Sequence, residues 1–382
     1  MNLEKLRKRS PGYDPVSVPS EQFNQICRLT KFINNDMLKV LKPYYAEKHR
    51  HFHTLDHLIA LLEDVETLNS EVGFRSETEY KSFQCAVLFH DVVYNPRSSH
   101  NEKMSELFFQ AHKDEYPEVD TELVSDLILG TALLDDSNAS SAVRTFNRLD
   151  RQILIKDTKS LIQYGEKIWK EYSFLDYSKF LDGHFKLIRE LVKNSFGYIC
   201  FDNKENIDEY ERHMRAKNIR VGLYVGSFNP FHVGHLDILT QAEALFDKVI
   251  VAVGTNPDKV DKIEPEDENP FYLEGVPTRF QQSKFSGMLL ARYVDQLKKE
   301  QNYDVTIIRG FRDGNDIASE LTQRKYSLNI DHTLKYVFLT SAPGLEHVSS
   351  SGIRSLLKFG EDVSEYLPNK TRRNYLDSER PA

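Results

Sequence analysis

The sequence is poor in cysteine and has no long apolar run. Its 382 residues include only 3 cysteines, Cys27, Cys85 and Cys200, which lie far apart and form no CxxC pair. This spacing excludes a disulfide framework and fits a reducing compartment. No run approaches the roughly 18 apolar residues of a membrane span, and the basic N-terminus lacks the apolar core of a secretory signal. The sequence therefore predicts a cytoplasmic protein with no membrane partner.

The sequence also has no excess of positive charge. Its formal net charge of −8 gives no global reason to expect a nucleic acid or an anionic membrane as a partner. With 40% hydrophobic and 28% charged residues, the composition is that of an ordinary globular chain. The length exceeds what one hydrophobic core usually serves, so we expect two domains.

The hydrophobic pattern changes near Ile219. Before this point apolar residues recur with helical spacing, as they do between Leu55 and Val65. The run Ser99-His100-Asn101-Glu102 predicts a capping box that opens a further helix. After Ile219, the β-branched runs "IRVGLYVG", "KVIVAVGT", "DVTIIRG" and "KYVFLTS" alternate with helical patterns, which predicts a parallel sheet. The predicted organisation is an N-terminal all-α domain at 21–217 and a C-terminal α/β Rossmann-like domain at 218–370, with tails at 1–20 and 371–382.

The segment "GSFNPFHVGH", from Gly226 to His235, joins the first predicted strand to a helix. A helix N-terminus at the carboxyl edge of a parallel sheet offers free N–H groups and a dipole that suit phosphate. His232 and His235 are three residues apart and can face one site. A histidine donor there can stabilise the charge that grows on transferring phosphate oxygens. The alternative is that both histidines only cap the helix, and the glycine and proline beside them favour the catalytic interpretation.

This segment and three others resemble the phosphopantetheine adenylyltransferases of the nucleotidyltransferase superfamily. The others are "FSGML" at 285–289, "IIRGFRDGNDIASEL" at 307–321 and "VSSSGIRSLLKFGEDVSEYLP" at 348–368. The resemblance implies adenylyl transfer from ATP, with Mg²⁺, to 4′-phosphopantetheine, giving dephospho-CoA and pyrophosphate in coenzyme A biosynthesis. It also implies a homo-oligomer. The string "GSFNPFHVGH" by itself looks more like the nicotinate and nicotinamide mononucleotide adenylyltransferases, and the other three segments favour the phosphopantetheine enzymes, so a pyridine mononucleotide stays open as the acceptor.

The resemblance implies roles for individual residues. Segment 260–285 lacks the helix that the family has there, which weakens the prediction on the acceptor side of the site. The implied catalytic residues are His235, Lys259 and Arg309. The implied nucleotide-binding residues are Gly226, Ser227, Phe228, His232, His235, Arg312, Glu320, Ser349, Ser350 and Ser351. The implied substrate-binding residues are Ser227, Lys259, Met288, Leu289 and Arg309.

In the N-terminal half, "RHFHTLDH" at 50–57 and "LFHDVVY" at 88–94 bring histidines and aspartates together. Imidazoles mixed with carboxylates suit Mn²⁺, Fe²⁺ or Zn²⁺, which activate water and polarise a phosphoryl oxygen. The pattern resembles the HD-domain metal-dependent phosphohydrolases, and the resemblance implies an HD fold with the ligands His57, His90, Asp91 and Asp150.

Several alternatives remain open for this half. Asp157 competes with Asp150 as the fourth ligand, and "GTALLDD" lacks a histidine that the family has there. His49, His51 and His53 are either outer contacts of the metal or merely polar. The HD domain could be the working enzyme, with a nucleotide-sensing C-terminal domain, or it could be a metal-free scaffold. The substrate of a hydrolase here is not indicated.

Overall fold

The computed structural model describes residues 20–368 apart from 31, 34, 195–200 and 255–272. The chain divides into two compact units. The first consists of the residues up to Glu171 together with Leu181–Ala216, and the second consists of Tyr172–Phe180 together with the residues from Lys217 onward. The predicted tail at 371–382 and Lys259 lie outside the described residues, as does the predicted tail at 1–20 except for Ser20.

In the part of the first unit that the structure describes, the regular elements are all helical. Two short 3₁₀ turns, Lys113–Glu115 and Gln152–Ile155, join longer helices. The ninth helix begins in the segment that groups with the second unit. The helices are α1 Ser20–Leu29, α2 Asn35–Tyr45, α3 Leu55–Glu71, α4 Glu77–Phe89, α5 Asn101–Gln110, α6 Thr121–Gly130, α7 Ser141–Asp150, α8 Thr158–Glu171, α9 Tyr177–Asn194 and α10 Phe201–Ala216.

Helices α3 and α4 carry much of the buried apolar surface of the first unit. The apolar positions of α3 recur every three or four residues, and the side chains of Leu58, Leu62 and Val65 are almost fully buried. Burying one such side chain contributes about 1.5–3 kcal/mol. This packing fixes the N-terminus of α3 and the C-terminus of α4, which carry the histidines of the two predicted metal-binding segments.

The predicted capping box at Ser99–Glu102 is wrong. The N-cap of α5 is His100, and its side chain makes no capping hydrogen bond. The side chain of Asn101 instead closes the loop before α5, because its Oδ1 accepts the N–H of Asn95 at 2.8 Å and its Nδ2 donates to the Asn95 carbonyl at 3.0 Å. The hydroxyl of Ser98 accepts the N–H of His100 at 3.1 Å in the same loop.

The second unit contains a five-stranded parallel sheet with the strand order β3-β2-β1-β4-β5. This arrangement confirms the predicted α/β Rossmann-like class. Because the chain runs outward from β1 to β3 and then returns to the other side of β1, the order reverses between β1 and β4. The strands are β1 Ile219–Gly226, β2 Lys248–Gly254, β3 Gln281–Phe285, β4 Tyr303–Phe311 and β5 Lys335–Thr340, and the helices are α11 Val233–Leu245, α12 Leu290–Gln301, α13 Gly314–Ile330 and α14 Ser350–Lys358.

The segment Tyr172–Phe180 is bonded into the second unit. The buried side chain of Lys248, at the start of β2, donates to the carbonyls of Ser173 and Leu175. The N–H of Tyr177 donates to the hydroxyl of Tyr303 at 2.9 Å. A buried ammonium group needs such acceptors, because an unpaired one is costly to remove from water. The second unit therefore uses a segment that precedes its main part by many residues.

Among the described helices, none combines the length and the apolar character that a membrane crossing requires.

Two helical glycines of the first unit test how tightly its helices pack. A Cβ at Gly165 would lie 2.1 Å from the hydroxyl oxygen of Tyr210, which is buried and held by His184 at 2.6 Å. A Cβ at Gly183 would have no atom within 4 Å. We expect Gly165→Ala to lower the free energy of unfolding by about 1–3 kcal/mol. Gly183→Ala should raise it by about 0.5–1 kcal/mol, since alanine favours a helix. Calorimetry of the full chain measures both changes in the free energy of unfolding. Equal changes for the two variants would contradict the close contact between Gly165 and Tyr210.

Candidate functional site

The segment between β1 and α11 is a tight turn built around Phe228. A Cβ at Gly226 would lie 2.8 Å from the Phe228 ring, so this position requires a residue without a side chain. Phe228 has a φ of 45° and is buried, whereas Ser227 is exposed. The Asn229–Pro230 peptide bond is cis. The turn thus leads from the carboxyl end of the central strand directly into the N-terminus of α11, at the reversal of the strand order.

His232 and His235 cap α11 for one another. The N–H of His235 donates to Nδ1 of His232 at 3.4 Å, and the N–H of His232 donates to Nδ1 of His235 at 3.3 Å. The rings are stacked, with their centroids 3.6 Å apart. An Nδ1 that accepts a hydrogen bond carries no proton, so each neutral ring has its proton on Nε2. The capping geometry therefore sets the tautomer of both histidines.

The surroundings keep both rings neutral. Burial and the nearby Arg312 lower the pKa of His232 to about 4. Burial, His232 and Arg312 lower the pKa of His235 to about 3. The rings of Phe228 and Phe231 lie 5.0 and 5.4 Å from that of His235 and supply the apolar side of the pocket. At neutral pH each histidine is therefore an uncharged Nε2–H donor.

A second helix N-terminus lies against the turn that carries the histidines. Ser349 is the N-cap of α14, and its hydroxyl accepts the N–H of Gly352 at 3.1 Å. Ser350 donates to the carbonyl of Pro230 at 3.0 Å, and Arg354 donates to the carbonyl of Asn229. The first N–H groups of a helix have no partner within the helix and are suited to an anion. Ser349, Ser350 and Ser351 are thereby brought beside the histidine turn.

The two predicted phosphate-binding arginines are paired with carboxylates of α13. Arg309, near the end of β4, bonds both carboxylate oxygens of Glu320, one of them at 2.8 Å, and donates to the carbonyl of Val225 at 3.3 Å. Arg312 bonds both oxygens of Asp316 at 2.7 and 3.1 Å. Arg309 and Glu320 thus lie beside the carboxyl end of β1. A phosphate that binds Arg309 there has to displace the carboxylate of Glu320.

The remaining predicted residues are not joined to this group by the contacts above. Met288 and Leu289 lie between β3 and α12, and they are 43% and 58% exposed. Lys259 lies outside the described residues.

Two residues of α11 that the sequence analysis did not select hold the loop leading to α14. Oδ2 of Asp237 accepts the N–H of Ala342 at 2.8 Å and the amide of Gln241 at 2.9 Å. The same amide donates to the carbonyl of Thr340 at 2.9 Å. The sequence carried one usable signal, which is that Asp237 and Gln241 are four residues apart on one helix face just after His235.

Three of the four predicted metal ligands of the first unit form one compact group, and the fourth, Asp91, borders it. Ligand atoms of His57, His90 and Asp150 lie within 4.8 Å of one another. Nε2 of His57 is 3.4 Å from Oδ1 of Asp150, and Nε2 of His90 is 3.5 Å from the same oxygen. Oδ2 of Asp91 is 3.1 Å from Nε2 of His90. Asp157, the competing residue, instead accepts the N–H of Ser160 at the start of α8.

The donor set fits a divalent transition metal. Nε2 of His57 and Nε2 of His90 are buried and make no hydrogen bond. Nδ1 of His90 is 2.9 Å from the carbonyl of Val87, so this ring donates from Nδ1 and directs its Nε2, the atom that would bind a metal, at the carboxylates. Although burial opposes these shifts, Asp91 and Asp150 raise the pKa of His90, and the histidines hold the pKa of each aspartate below its usual range. Two buried imidazoles facing two carboxylates are the ligands that Mn²⁺, Fe²⁺ or Zn²⁺ accept.

Glu171, at the end of α8, holds the first of the two ligand segments. Its Oε1 accepts the N–H groups of His51, Phe52 and His53 at 2.7, 2.7 and 3.1 Å. Its Oε2 accepts Nδ1–H of His53 at 2.7 Å and the hydroxyl of Tyr94 at 2.8 Å. Burial acts the other way, but these donors keep the pKa of Glu171 below its usual range. Glu171 was not among the predicted residues, because nothing in its neighbourhood in the sequence marks a partner so distant along the chain.

Arg50 joins the same segment to the second one. It donates to the carbonyls of His53 at 3.2 Å, Asp91 at 2.7 Å and Val92 at 3.0 Å, and it also bonds Glu47 at 3.0 Å. A buried guanidinium with its donors satisfied in this way fixes the separation of the backbone at 53 and at 91. The sequence analysis did not select this residue either.

The second unit has the features of a nucleotidyltransferase domain, namely a neutral histidine pair and two helix N-termini at the strand reversal of a parallel sheet. The model of the cytidylyltransferase-like family matches residues 223–356. The phosphopantetheine adenylyltransferase of Streptococcus pneumoniae (strain 70585) is 33% identical over 149 residues, which are 39% of this chain and 90% of that protein. The phosphopantetheine adenylyltransferase of Clostridium novyi (strain NT) is 33% identical over 162 residues, which are 42% of this chain and 96% of that protein. Through its C-terminal part, the chain belongs to the phosphopantetheine adenylyltransferase family.

The neutrality of the histidine pair can be measured directly. We expect the ring proton signals of His232 and His235, assigned with the His232→Asn and His235→Asn variants, to stay constant from pH 8 to pH 5. An ordinary imidazole titrates near 6.5. The ring proton signals of the same two histidines should titrate there once urea has unfolded the chain. Because the unfolded chain then binds protons that the folded chain does not, these two residues make folding less favourable as the pH falls below about 6.5. A midpoint at or above pH 6 for either folded signal would contradict the lowered pKa.

Proposed function

We propose that the second unit transfers the adenylyl group of ATP to 4′-phosphopantetheine and releases pyrophosphate. The observation that carries this proposal is the mutually capped pair His232 and His235 at the carboxyl end of β1. The likeness to enzymes named phosphopantetheine adenylyltransferase supports the choice of acceptor. The product would be dephospho-CoA.

The reaction needs no nucleophile from the protein. A phosphate oxygen of the acceptor attacks the α-phosphorus of ATP, a new P–O bond forms, and the bond to pyrophosphate breaks. Negative charge collects on the non-bridging oxygens of the α-phosphate, so donors placed there lower the barrier. The Nε2–H of His235 is such a donor, and it need not lose its proton because the ring begins and ends neutral. His232 offers a second Nε2–H beside it.

The triphosphate has donors from two directions. The N-termini of α11 and α14 provide N–H groups, and Ser349, Ser350 and Ser351 provide hydroxyls. Arg309 and Arg312 provide bidentate positive charge once the phosphates replace Glu320 and Asp316 as their partners. Mg²⁺ bound to ATP would neutralise further charge. Holding two phosphates in line with their charge neutralised accounts for most of the rate increase.

The acceptor and the role of His235 are tested together. We expect dephospho-CoA from ATP and 4′-phosphopantetheine, and no dinucleotide from nicotinate or nicotinamide mononucleotide. His235→Asn should lower kcat about 10²–10³-fold, since the asparagine oxygen can still accept the N–H of His232 but Nε2–H is lost. His347→Asn, at an exposed histidine against Tyr366, is the matched control and should keep full activity.

Three outcomes would contradict this proposal. Dinucleotide formed from a pyridine mononucleotide without dephospho-CoA would make the acceptor wrong. ATP that binds without any transfer would favour a nucleotide-sensing domain. A His235→Asn variant with wild-type kcat would remove His235 from the chemistry.

We propose a second activity for the first unit, that of an HD-type phosphohydrolase. The observation that favours it is the pair of buried, unbonded Nε2 atoms of His57 and His90 facing Asp150. A divalent metal bound there activates water and polarises a phosphoryl oxygen. The chain itself would contribute the ligands His57, His90, Asp91 and Asp150, and the Val87 carbonyl orients the ring of His90.

The second proposal is tested by measuring how much divalent metal the protein binds. After incubation with Mn²⁺, Fe²⁺ or Zn²⁺ and gel filtration, we expect elemental analysis to find a stoichiometric divalent metal in the wild type and little in His57→Ala or Asp150→Ala. Asp157→Ala is the control and should keep the metal, since Asp157 caps α8. His235→Asn should not change any phosphatase activity, because the two sets of residues belong to different units. A wild type without metal would leave this unit a scaffold.

A further inference from the structure

We infer that His53 is an additional ligand of the metal centre proposed for the first unit and that Glu171 is the residue that positions it. The inference rests on the proposed metal-dependent function of that unit. It adds one histidine and one buried carboxylate to the four residues that the sequence pattern indicates.

The distances place His53 beside Asp91, one of the four residues of the proposed centre. Nε2 of His53 is 3.9 Å from Oδ2 of Asp91, and Nε2 of His57 is 4.0 Å from that oxygen. The third histidine, His90, reaches the same oxygen at 3.1 Å. Donor atoms that bind one ion at about 2.0–2.2 Å lie about 3–4 Å from each other. Oδ2 of Asp91 thus has the Nε2 atoms of three imidazoles within about 4 Å, the spacing of atoms that share one ion.

The hydrogen bonding of His53 leaves the correct nitrogen available. Its Nδ1 is 2.7 Å from Oε2 of Glu171, which is an acceptor only, so Nδ1 carries a proton and the lone pair of the neutral ring lies on Nε2. Metal-bound histidines commonly donate their other N–H to a carboxylate, which fixes the ring and raises its basicity as a ligand. His90 has the same arrangement with the carbonyl of Val87.

Two further contacts fix the ring of His53 in place. Its face lies against Tyr94, with the ring centroids 4.2 Å apart, and the hydroxyl of Tyr94 bonds the same Oε2 of Glu171. The backbone N–H of His53 bonds the other oxygen of that carboxylate. The side chain of Glu171 is 0% exposed, whereas that of His53 is 19% exposed. The carboxylate is therefore fully buried, and part of the imidazole is accessible to solvent. This is the arrangement of a positioned ligand, and His53 adjoins His57 across the start of α3.

The decisive variant is His53→Asn. The asparagine amide can donate to Glu171 in the place of Nδ1–H, but it has no atom at Nε2, so a structural role is kept and a ligand is removed. We expect the melting temperature of the metal-free protein to stay close to that of the wild type and the affinity for Zn²⁺, measured by competition with a chromophoric chelator, to fall about 10–100-fold. The d–d absorption of the Co²⁺-loaded protein should change as well, because the ligand set is altered.

The positioning role is measured with Glu171→Gln. Its affinity for Zn²⁺ should fall in the same way, and the Co²⁺ spectrum should move in the same direction as in His53→Asn. The matched control is His112→Ala, which removes a histidine paired with a carboxylate, Glu115, at 3.0 Å within the same unit. It should leave affinity and spectrum unchanged. If Glu171→Gln does not fold, His53→Asn alone decides.

The outcomes separate this inference from the function on which it rests. A wild type that binds no divalent metal overturns the proposed centre and this inference with it. A wild type that binds metal, together with a His53→Asn variant of equal affinity and unchanged Co²⁺ spectrum, overturns the inference and leaves the proposed centre intact. Loss of affinity in His53→Asn but not in Glu171→Gln would overturn the positioning role of Glu171.

Discussion

Both candidate sites depend on the requirement that backbone N–H groups left over at a turn or a helix start must find an acceptor. At the start of α11 the acceptors are the Nδ1 atoms of His232 and His235. Before α3 the acceptor is Glu171, which also binds Nδ1 of His53. In each case bonding on one side of an imidazole determines which chemical form its other side presents. In the second unit this is an Nε2–H donor, and in the first it is an Nε2 that holds the lone pair of the neutral ring.

The sequence predicted the architecture of the second unit well because its signals are local. The four β-branched runs became β1, β2, β4 and β5, and the glycine-rich turn joined β1 to α11 as expected. The strand that was missed, β3, reads "QQSKF" and lies at the edge of the sheet. An edge strand with mostly polar side chains has no apolar alternation to reveal it. The capping box failed for a related reason, since two residue types at the right spacing do not decide which side chain closes the turn.

The candidate sites were predictable as sets of reactive residues but not as organised sites. The His-Asp and histidine-glycine patterns are short-range and point to chemistry. Glu171 bonds the backbone of His51 across 120 positions, and Asp237 bonds that of Ala342 across 105. No spacing rule connects such partners, because only folding brings them together. The pairing of Arg309 with Glu320 was equally hidden, since the resemblance gave Arg309 a catalytic and substrate-binding role and Glu320 a nucleotide-binding role, with no contact between them.

The division of the chain into its two units has a consequence for how the protein can be taken apart. Tyr172–Phe180 belongs to the second unit, although residues of the first unit follow it. During synthesis, the segment Tyr172–Phe180 of the second unit is therefore made before the last residues of the first unit. A single cut in the chain cannot separate the two units without removing residues from one of them. A fragment that starts at Lys217 would leave the buried ammonium group of Lys248 without the carbonyls of Ser173 and Leu175. The two units are thus interleaved along the chain rather than placed end to end, and a truncation at any one position removes residues from at least one of them.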